Sequence, residues 1–285
     1  MSIELAKKYA AHVDEVFKAE SKLDLLTNSD YDWSGAHSVS VWKVSTVPMN
    51  DYARSRSAED YGDGTAASLS RYGSIIDLDA QTEEMLLTRD RSFVFNIDRL
   101  DQDETEQQVK ADTALARQIR EVVIPEVDTY VYGVMVENAG TEAAAAELTA
   151  ENIYDEIVKG TETLDDLEVP DTGRSVVVTP AVHRLMKKSP DIALDCDVSA
   201  EMRAKGVVAI VDGMNVVKVP ASRLPEGFGF MIAHPSATVA PKKLEDYGIH
   251  NDTPLSSGTI VTGRVVYDAF VLDNKKEAIY YHPIN

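Results

Sequence analysis

The amino-acid sequence predicts an α+β fold in which a long helix precedes a strand-rich second half. Leu115, Ile119 and Val122 recur at helical spacing, and Val127 and Val131 continue the pattern, so residues 103–138 are predicted as one amphipathic helix. After residue 170, short runs of β-branched residues alternate with turn residues, which is typical of strands. The hydrophobic fraction is 44% of 285 residues, enough to form the core of one large domain or two smaller ones.

Proline and glycine mark the helices. Pro125 lies inside the long helix, and its ring and missing N–H predict a kink or a restart there. Gly140 is a suitable residue to end this helix. Two further amphipathic helices are predicted from apolar spacing, over 3–27 and 152–163.

The region before the long helix is predicted to contain strands and a long loop. Residues 37–44 alternate between β-branched and polar side chains and are predicted as a strand. The interval 51–75 has few aliphatic side chains and several glycines and tyrosines, so it is predicted as a long exposed loop. A turn at Asp90-Arg91 is predicted to pair 84–87 with 93–97 in an extended hairpin that carries this loop.

The second half is predicted to be built from short strands. Residues 175–178 form an apolar run of the length of a buried strand. Thr179 and Pro180 then predict the N-cap and first position of a short helix. The remaining predicted strands are 207–211 and 214–219, which pair across an Asp212-Gly213 turn, then 228–234, and a last hairpin of 267–272 with 278–281.

The charge balance bears on the class of partner. The chain has 48 acidic and 28 basic residues, a formal net charge of −20, which opposes nonspecific binding to nucleic-acid phosphates or anionic lipid. Its single cysteine, Cys196, excludes an intrachain disulfide and favours a reducing compartment. There is no apolar run of the length of a signal peptide or a membrane span, so the sequence predicts synthesis in the cytoplasm and protein partners.

No group of residues matches a known catalytic or metal-binding pattern. Gly62-Asp-Gly64 lacks the flanking strand and helix of a phosphate-binding loop, and is interpreted as loop flexibility. The acidic residues near Asp77 lack the spacing of a calcium loop, and are interpreted as a solvated edge. The six histidines never occur at the four-residue spacing of a helical zinc site. Cys196 lies between two aspartates, which disfavour a thiolate nucleophile.

Five arginines cluster in the extended segment of this acidic chain: Arg54, Arg56, Arg71, Arg89 and Arg91. A basic arm against an acidic body favours contacts between copies, since each arm meets a neighbour of opposite sign. These residues are therefore the candidate inter-subunit contacts. The alternative is that they are ordinary solvated arginines on a loop.

The order of several segments resembles the major capsid proteins of tailed bacteriophages of the Hong Kong 97 type. The resemblance covers nearly the whole chain and rests on the order of the segments, since no single one is a catalytic signature. The segments are 55–56, 70–73, 90–98, 114–128, 176–180, 211–220, 229–235 and 263–272.

This resemblance implies a Hong Kong 97-like capsid fold with five regions. They are an N-terminal arm (1–45), an extended loop (46–100), a peripheral domain with a long spine helix (101–169), an axial domain (170–255) and a return to the peripheral domain (256–285).

The implied function is that of a major capsid protein that self-assembles through pentamers and hexamers into an icosahedral head enclosing phage double-stranded DNA. It implies no catalytic residues, no cofactor and no metal. The expected partners are further copies, a separate scaffolding protein, a portal protein and packaged DNA through nonspecific contacts, with no membrane. The expected location is the virion capsid, after synthesis in the host cytoplasm.

The type member of this family crosslinks its subunits through a lysine and an asparagine, with a catalytic glutamate. That set is not found here residue by residue, and although Lys43 lies near the loop nothing assigns it, so no autocatalytic crosslinking is predicted. Two alternatives remain open. One is an encapsulin-like nanocompartment shell, which needs a groove for cargo peptides. The other is a soluble α+β enzyme that uses dispersed carboxylates such as Asp98, Asp101 and Asp103.

Overall fold

The computed structural model divides into two units, one formed by Ala36–Leu86 and the other by Met1–Gly35 with Leu87–Asn285. Each unit is described by itself. The residues that the structure describes are 21–28, 33, 38–44, 49, 51–52, 54, 72, 80–99, 111–190, 192, 207–251 and 257–284. The predicted helix over 3–27 lies mostly outside this part of the chain, and within it Leu23–Leu25 form a single 3-10 turn.

The smaller unit contains a two-stranded antiparallel ribbon. Strand β1 is Ser38–Val44 and strand β2 is Ala80–Leu86, with Ser38 opposite Leu86 and Val44 opposite Ala80. The prediction of a strand at 37–44 is therefore confirmed. An isolated ribbon of two strands is at best marginally stable in water, because it has no second layer to bury its side chains.

The predicted hairpin of 84–87 with 93–97 is wrong. Strand β3 is Arg89–Asp98 and runs straight through Asp90 and Arg91, with its partner near the other end of the chain. Neither residue has the positive φ that a tight hairpin turn requires. The alternation of Phe93, Phe95 and Ile97 is present, but these residues belong to a strand that begins at Arg89, and its first four residues are all exposed.

The remaining strands all lie in the larger unit. In chain order they are β4, Thr141–Glu142; β5, Ser175–Val178; β6, Val207–Val211; β7, Met214–Lys218; β8, Phe228–Ala233; β9, Thr238–Val239; β10, Lys242–Asn251; β11, Gly258–Tyr267; β12, Phe270–Val271; and β13, Ile279–Pro283.

Three strands of the larger unit form an antiparallel sheet. The order in this sheet is β10-β11-β3, with Gly258 opposite Asp98 and Tyr267 opposite Arg89. Its buried residues Ile97, Val261 and Val265 join the core of the long helix.

The long helix is continuous from residue 111 to 137 but changes its winding. Helix α1, Ala111–Gln118, passes through a π-helical turn at Ile119–Val123 into helix α2, Ile124–Glu137. Pro125 occupies the first turn of α2, so the altered winding comes immediately before the residue that cannot donate a backbone hydrogen bond. The predicted restart at Pro125 thus takes the form of a π turn within a helix that does not end.

A six-stranded sheet with the order β4-β13-β8-β5-β7-β6 forms the rest of the larger unit. Along β5 the side chains alternate, because Val177 faces the core that contains α1 and α2 while Val176 and Val178 face a second core. Helices α3, Ile153–Asp166, and α4, Pro180–Met186, cover this second face. The predicted helix at 152–163 is therefore confirmed.

Local signals were reliable in this region. The Thr179 hydroxyl accepts a hydrogen bond from the Val182 N–H at 3.2 Å, which confirms the predicted N-cap. Asp212 and Gly213 have φ of 49° and 73°, and they join β6 to β7 as predicted. Both signals depend only on residues adjacent in sequence.

The predicted hairpin of 267–272 with 278–281 is wrong. Tyr267 ends β11, β12 pairs with β9, and β13 pairs with β8. The carboxylate of Asp268 accepts a hydrogen bond from the Ala269 N–H at 2.9 Å, so the backbone leaves the strand at this point. The run 267–272 was interpreted as one strand because a single aspartate in an apolar run gives no local sign that the strand ends there.

Candidate functional site

The five candidate arginines are not brought together by the described part of the chain. Arg54 is exposed in the smaller unit, and Arg56 and Arg71 lie outside the described residues. Arg89 and Arg91 lie on one face of β3 in the larger unit, two residues apart. The grouping of all five as one basic arm stays a prediction.

Arg89 and Arg91 both contact helix α2 of their own chain. The guanidinium carbon of Arg89 lies 4.4 Å from the ring centroid of Tyr130. The Nε of Arg91 donates to Glu126 Oε1 at 2.7 Å. Since side chains on both partners remain largely exposed, this ion pair is screened by water and contributes little stability. Their use as inter-subunit contacts remains untested by these geometries.

Asp268 is a buried carboxylate that joins three elements. Its Oδ2 accepts from the Thr88 N–H at 2.7 Å and from the Thr88 hydroxyl at 2.9 Å. Its Oδ1 accepts from the Tyr130 hydroxyl at 2.7 Å and from the Ala269 N–H. Asp268 is only 3% exposed, so these four donors replace the water that its charge would otherwise bind. The backbone just before β3 is thereby fixed to α2 and to the end of β11.

Glu126 forms a second junction beside this one. Besides Arg91, its Oε1 accepts from the Tyr267 hydroxyl at 3.3 Å. Burial, followed by the charge of Glu126 and this hydrogen bond, raises the pKa of Tyr267 to about 12. The rings of Tyr130 and Tyr267 are in edge-to-face contact. Asp268 therefore accepts a hydrogen bond from one tyrosine of this pair, and Glu126 accepts one from the other.

Asp128 of helix α2 forms a hydrogen bond with the N-terminal segment of the larger unit. It accepts from the Ser21 hydroxyl at 2.9 Å and from Arg223 Nη1 at 2.8 Å. Burial raises the pKa of Asp128, although both hydrogen bonds oppose this effect. The Lys22 ammonium donates to the Lys218 carbonyl at 2.7 Å, and Leu23 is buried in the adjoining core.

The smaller unit presents apolar and aromatic side chains to solvent. Met49 is fully exposed, and Leu86 is close to half exposed. Tyr52 and Tyr72 are also exposed and are in edge-to-face contact with ring centroids 5.0 Å apart. Exposed apolar groups that lie together are typical of a surface that another chain covers. The two tyrosines belong to the interval 51–75 that was predicted as a loop, and no local pattern in the sequence marks them as contacts.

The features considered as catalytic do not converge on one site in the described part of the chain. Asp98 lies on β3, whereas Asp101, Asp103, Cys196 and Gly62-Asp-Gly64 fall outside the described residues. Among residues that are described, no three His, Cys, Asp or Glu side chains are placed to hold a metal ion. Lys43 lies on β1, opposite Gln81.

The histidines in the described part are engaged separately. His234 Nδ1 lies 2.7 Å from the Ser236 hydroxyl, and His250 Nε2 lies 3.2 Å from the Thr262 hydroxyl. His282 is buried with its Nε2 3.5 Å from Glu156 Oε2. Burial lowers the pKa of His183.

None of the helices in the described residues has the length and apolar character that crossing a membrane requires.

Comparison with known proteins identifies the fold through structure alone. No protein-family model and no curated protein matches the chain. A solved structure from Mycobacterium phage Che8 is 20% identical, covers 93% of this chain and 91% of its own, and superposes with a TM-score of 0.70. The capsid structure of Cyanophage P-SCSP1u is 14% identical, with 94% and 89% coverage and a TM-score of 0.68.

A virus-like particle from Pyrococcus furiosus also matches. It is 11% identical, with 96% coverage of this chain, 98% of the other and a TM-score of 0.56. In each case the match extends over nearly the full length of both partners. The chain therefore has the α+β fold of phage capsid structures, as the sequence resemblance predicts.

Proposed function

We propose that this chain is a major capsid protein that self-assembles into an icosahedral head enclosing phage double-stranded DNA. The observation that carries the proposal is the near full-length likeness to phage capsid structures, over more than nine-tenths of the chain. A likeness confined to one sheet would support only a common domain. A likeness that extends over nearly the whole length of both chains supports a common mode of assembly.

The smaller unit gives this proposal a physical basis. Leu86 is exposed on the ribbon of β1 and β2, and Tyr52 and Tyr72 are exposed in the segment between these strands. A two-stranded ribbon is marginally stable when isolated. Burial of these side chains by another copy removes apolar area from water and supplies the missing layer. We infer that each copy's smaller unit is covered in the shell by a neighbouring copy.

The five arginines keep their proposed place in these contacts. Arg54 is exposed and available to another copy. Arg89 and Arg91 lie on β3 and contact α2, and both residues are exposed. Arg56 and Arg71 complete the proposed set. We likewise propose the five regions that the resemblance implies: an N-terminal arm (1–45), an extended loop (46–100), a peripheral domain (101–169), an axial domain (170–255) and a return to the peripheral domain (256–285).

The remaining parts of the proposal concern partners and chemistry. The shell is built from pentamers and hexamers, assembled with a separate scaffolding protein around a portal protein, and located in the virion after synthesis in the host cytoplasm. Contact with packaged DNA is nonspecific. The role is structural and not enzymatic, with no cofactor and no autocatalytic crosslinking, so mature shells migrate as single subunits on denaturing gels.

The proposal is tested by the mass of the assembled protein and by its cargo. Purified particles are sized by exclusion chromatography with light scattering, then treated with nuclease before and after disruption. A phage head yields DNA that is protected until disruption. An encapsulin-like shell, favoured as the alternative by the likeness to the Pyrococcus furiosus particle, yields protein cargo without protected DNA. A chain that remains a monomer or dimer under all conditions contradicts both readings.

A further inference from the structure

The negative charge of this chain is concentrated in one segment of the larger unit. Residues 137–171 contain eleven Asp and Glu side chains and one lysine, a net charge of −10 in a chain whose total is −20. All of these carboxylates except Glu156 are exposed. Several lie on or just after α3, and Asp155, Glu162, Asp166 and Glu168 are defined here as the acidic patch.

A basic patch follows in the next segment. No acidic residue occurs from 174 to 190, and Arg184, Lys187 and Lys188, at the end of α4 and just after it, are all exposed. These three residues are defined as the basic patch. Arg174 is not part of it, because its buried guanidinium is already paired with Asp165 at 2.7 Å.

The two patches lie over different strands on the same face of the six-stranded sheet. Gly160 of α3 packs against Ile232 of β8 and Tyr280 of β13. Helix α4 follows β5 directly. Burial, followed by the positive charges of Lys187 and of Lys218 on β7, lowers the pKa of His183 in α4, so α4 lies near β7. Along the order β13-β8-β5-β7, α3 therefore lies on the side of β13 and β8 and α4 on the side of β5 and β7, and the two helices contact each other.

The charged side chains of the two patches form few contacts within the described part of their own chain, although Asp155 lies close enough to Lys159 to interact with its charge. Within the described residues, none of the side chains of the acidic patch or the basic patch forms an ion pair. Asp166 also ends α3, whose last turn contains no basic residue, and a negative charge there opposes the helix dipole. The exposed apolar residues Val158 and Leu167 lie among these carboxylates. A cationic surface from outside the chain relieves this repulsion.

We propose that the basic patch of one copy binds the acidic patch of the next copy in a head-to-tail ring. This inference rests on the proposed shell function, which supplies the identical neighbours. Copies related by rotation present unlike ends to each other, so one chain can supply both halves of a heterologous contact. The complementary charges select this arrangement and disfavour contacts of like patches. A single exposed ion pair is weak, so the contact depends on several charges acting together and on low salt.

The test exchanges the charges of the two patches. The basic-patch variant is Lys187→Glu with Lys188→Glu, and the acidic-patch variant is Glu162→Lys with Asp166→Lys. Each is expected to reduce the yield of assembled particles by roughly ten-fold or more, because like charges then face each other. The fourfold variant restores opposite charges across the contact and is expected to return the yield to near that of the unaltered chain.

A matched control separates this contact from a general effect of charge. Lys275→Glu with Lys276→Glu makes the same change in net charge on a turn outside both patches, and it is expected to assemble normally. Normal assembly of the basic-patch variant, or failure of the fourfold variant to recover, overturns the inference while leaving the proposed function intact. If the unaltered chain forms no assembly under any condition, the proposed function fails and the inference fails with it.

Discussion

Two buried carboxylates tie distant segments of the larger unit to the long helix. Asp268 receives four hydrogen bonds from residues that include Thr88 and Tyr130. Asp128 receives hydrogen bonds from Ser21 and Arg223. A buried charge is tolerated only where donors surround it, so each residue depends on the placement of several others.

Replacement of Asp268 by alanine is expected to lower the free energy of unfolding by about 2 to 4 kcal/mol. The change removes the acceptor of the Thr88 N–H and of the Tyr130 hydroxyl in a partly buried site. Chemical denaturation of the unassembled subunit measures this loss. The control Glu162→Ala removes an exposed carboxylate from α3 and is expected to change the free energy by less than about 0.5 kcal/mol. Equal effects from both variants would contradict the account.

Asp128 is expected to make stability depend on pH in a defined direction. Because burial raises the pKa of Asp128 in the folded state, the folded chain holds this proton more tightly than the unfolded chain. The contribution is therefore full below the ordinary pKa of 3.8 and is lost as the pH rises through the raised folded pKa. Relative to Asp128→Asn, the unfolding midpoint of the parent chain should therefore decrease as the pH is raised above 3.8. A constant difference over this range would disprove the assignment.

Residue roles were only partly predictable from the sequence. The cluster of arginines was visible, but the contacts of Arg89 with Tyr130 and of Arg91 with Glu126 depend on β3 lying against α2. Asp268 was hidden for a similar reason, since a single carboxylate in an apolar run gives no local sign of its donors. Its partners Thr88 and Tyr130 are 180 and 138 residues away in the chain.

At the scale of elements, local signals succeeded and long-range pairing did not. The Thr179 cap and the Asp212-Gly213 turn were predicted because both are encoded by neighbouring residues. The two hairpin predictions were wrong because they rested on the assumption that strands consecutive in the sequence pair with each other. Instead β3 pairs with β11 and β13 pairs with β8, and periodicity along a strand carries no information about which strand lies beside it.

Two glycines should respond in opposite ways to replacement by alanine. A Cβ at Gly229 in β8 would lie 2.5 Å from the His282 carbonyl oxygen of β13, so Gly229→Ala is expected to cost about 2 kcal/mol or more. A Cβ at Gly133 in α2 meets no neighbouring atom within 4 Å in the described structure, so Gly133→Ala is expected to stabilise the helix by up to about 1 kcal/mol. Thermal unfolding measures both. Destabilisation of similar size by both changes would argue against this packing of β8 on β13.

At the scale of the whole molecule, charge and exposed surface indicate assembly. The smaller unit exposes Tyr52 and Tyr72, while the larger unit separates an acidic patch from a basic patch on one sheet face. These features destabilise or add nothing to a lone subunit. They are expected where identical copies cover one another.

Reversal of three arginines tests the electrostatic part of the arm contact. Arg54→Glu, Arg56→Glu and Arg71→Glu together are expected to impair assembly by roughly ten-fold or more, while the subunit keeps its circular dichroism spectrum. The same three positions changed to lysine retain the charge and should assemble. Normal particles from the glutamate variant would remove the arginines from the set of inter-subunit contacts.

The most direct test of the shell function is electron cryomicroscopy of the purified, assembled protein. We expect closed particles with icosahedral symmetry, built from pentamers and hexamers, in which the smaller unit of each copy lies against a neighbouring copy. Open aggregates, or a uniform population of monomers or dimers at every salt and protein concentration, would contradict the proposal that this chain forms a capsid.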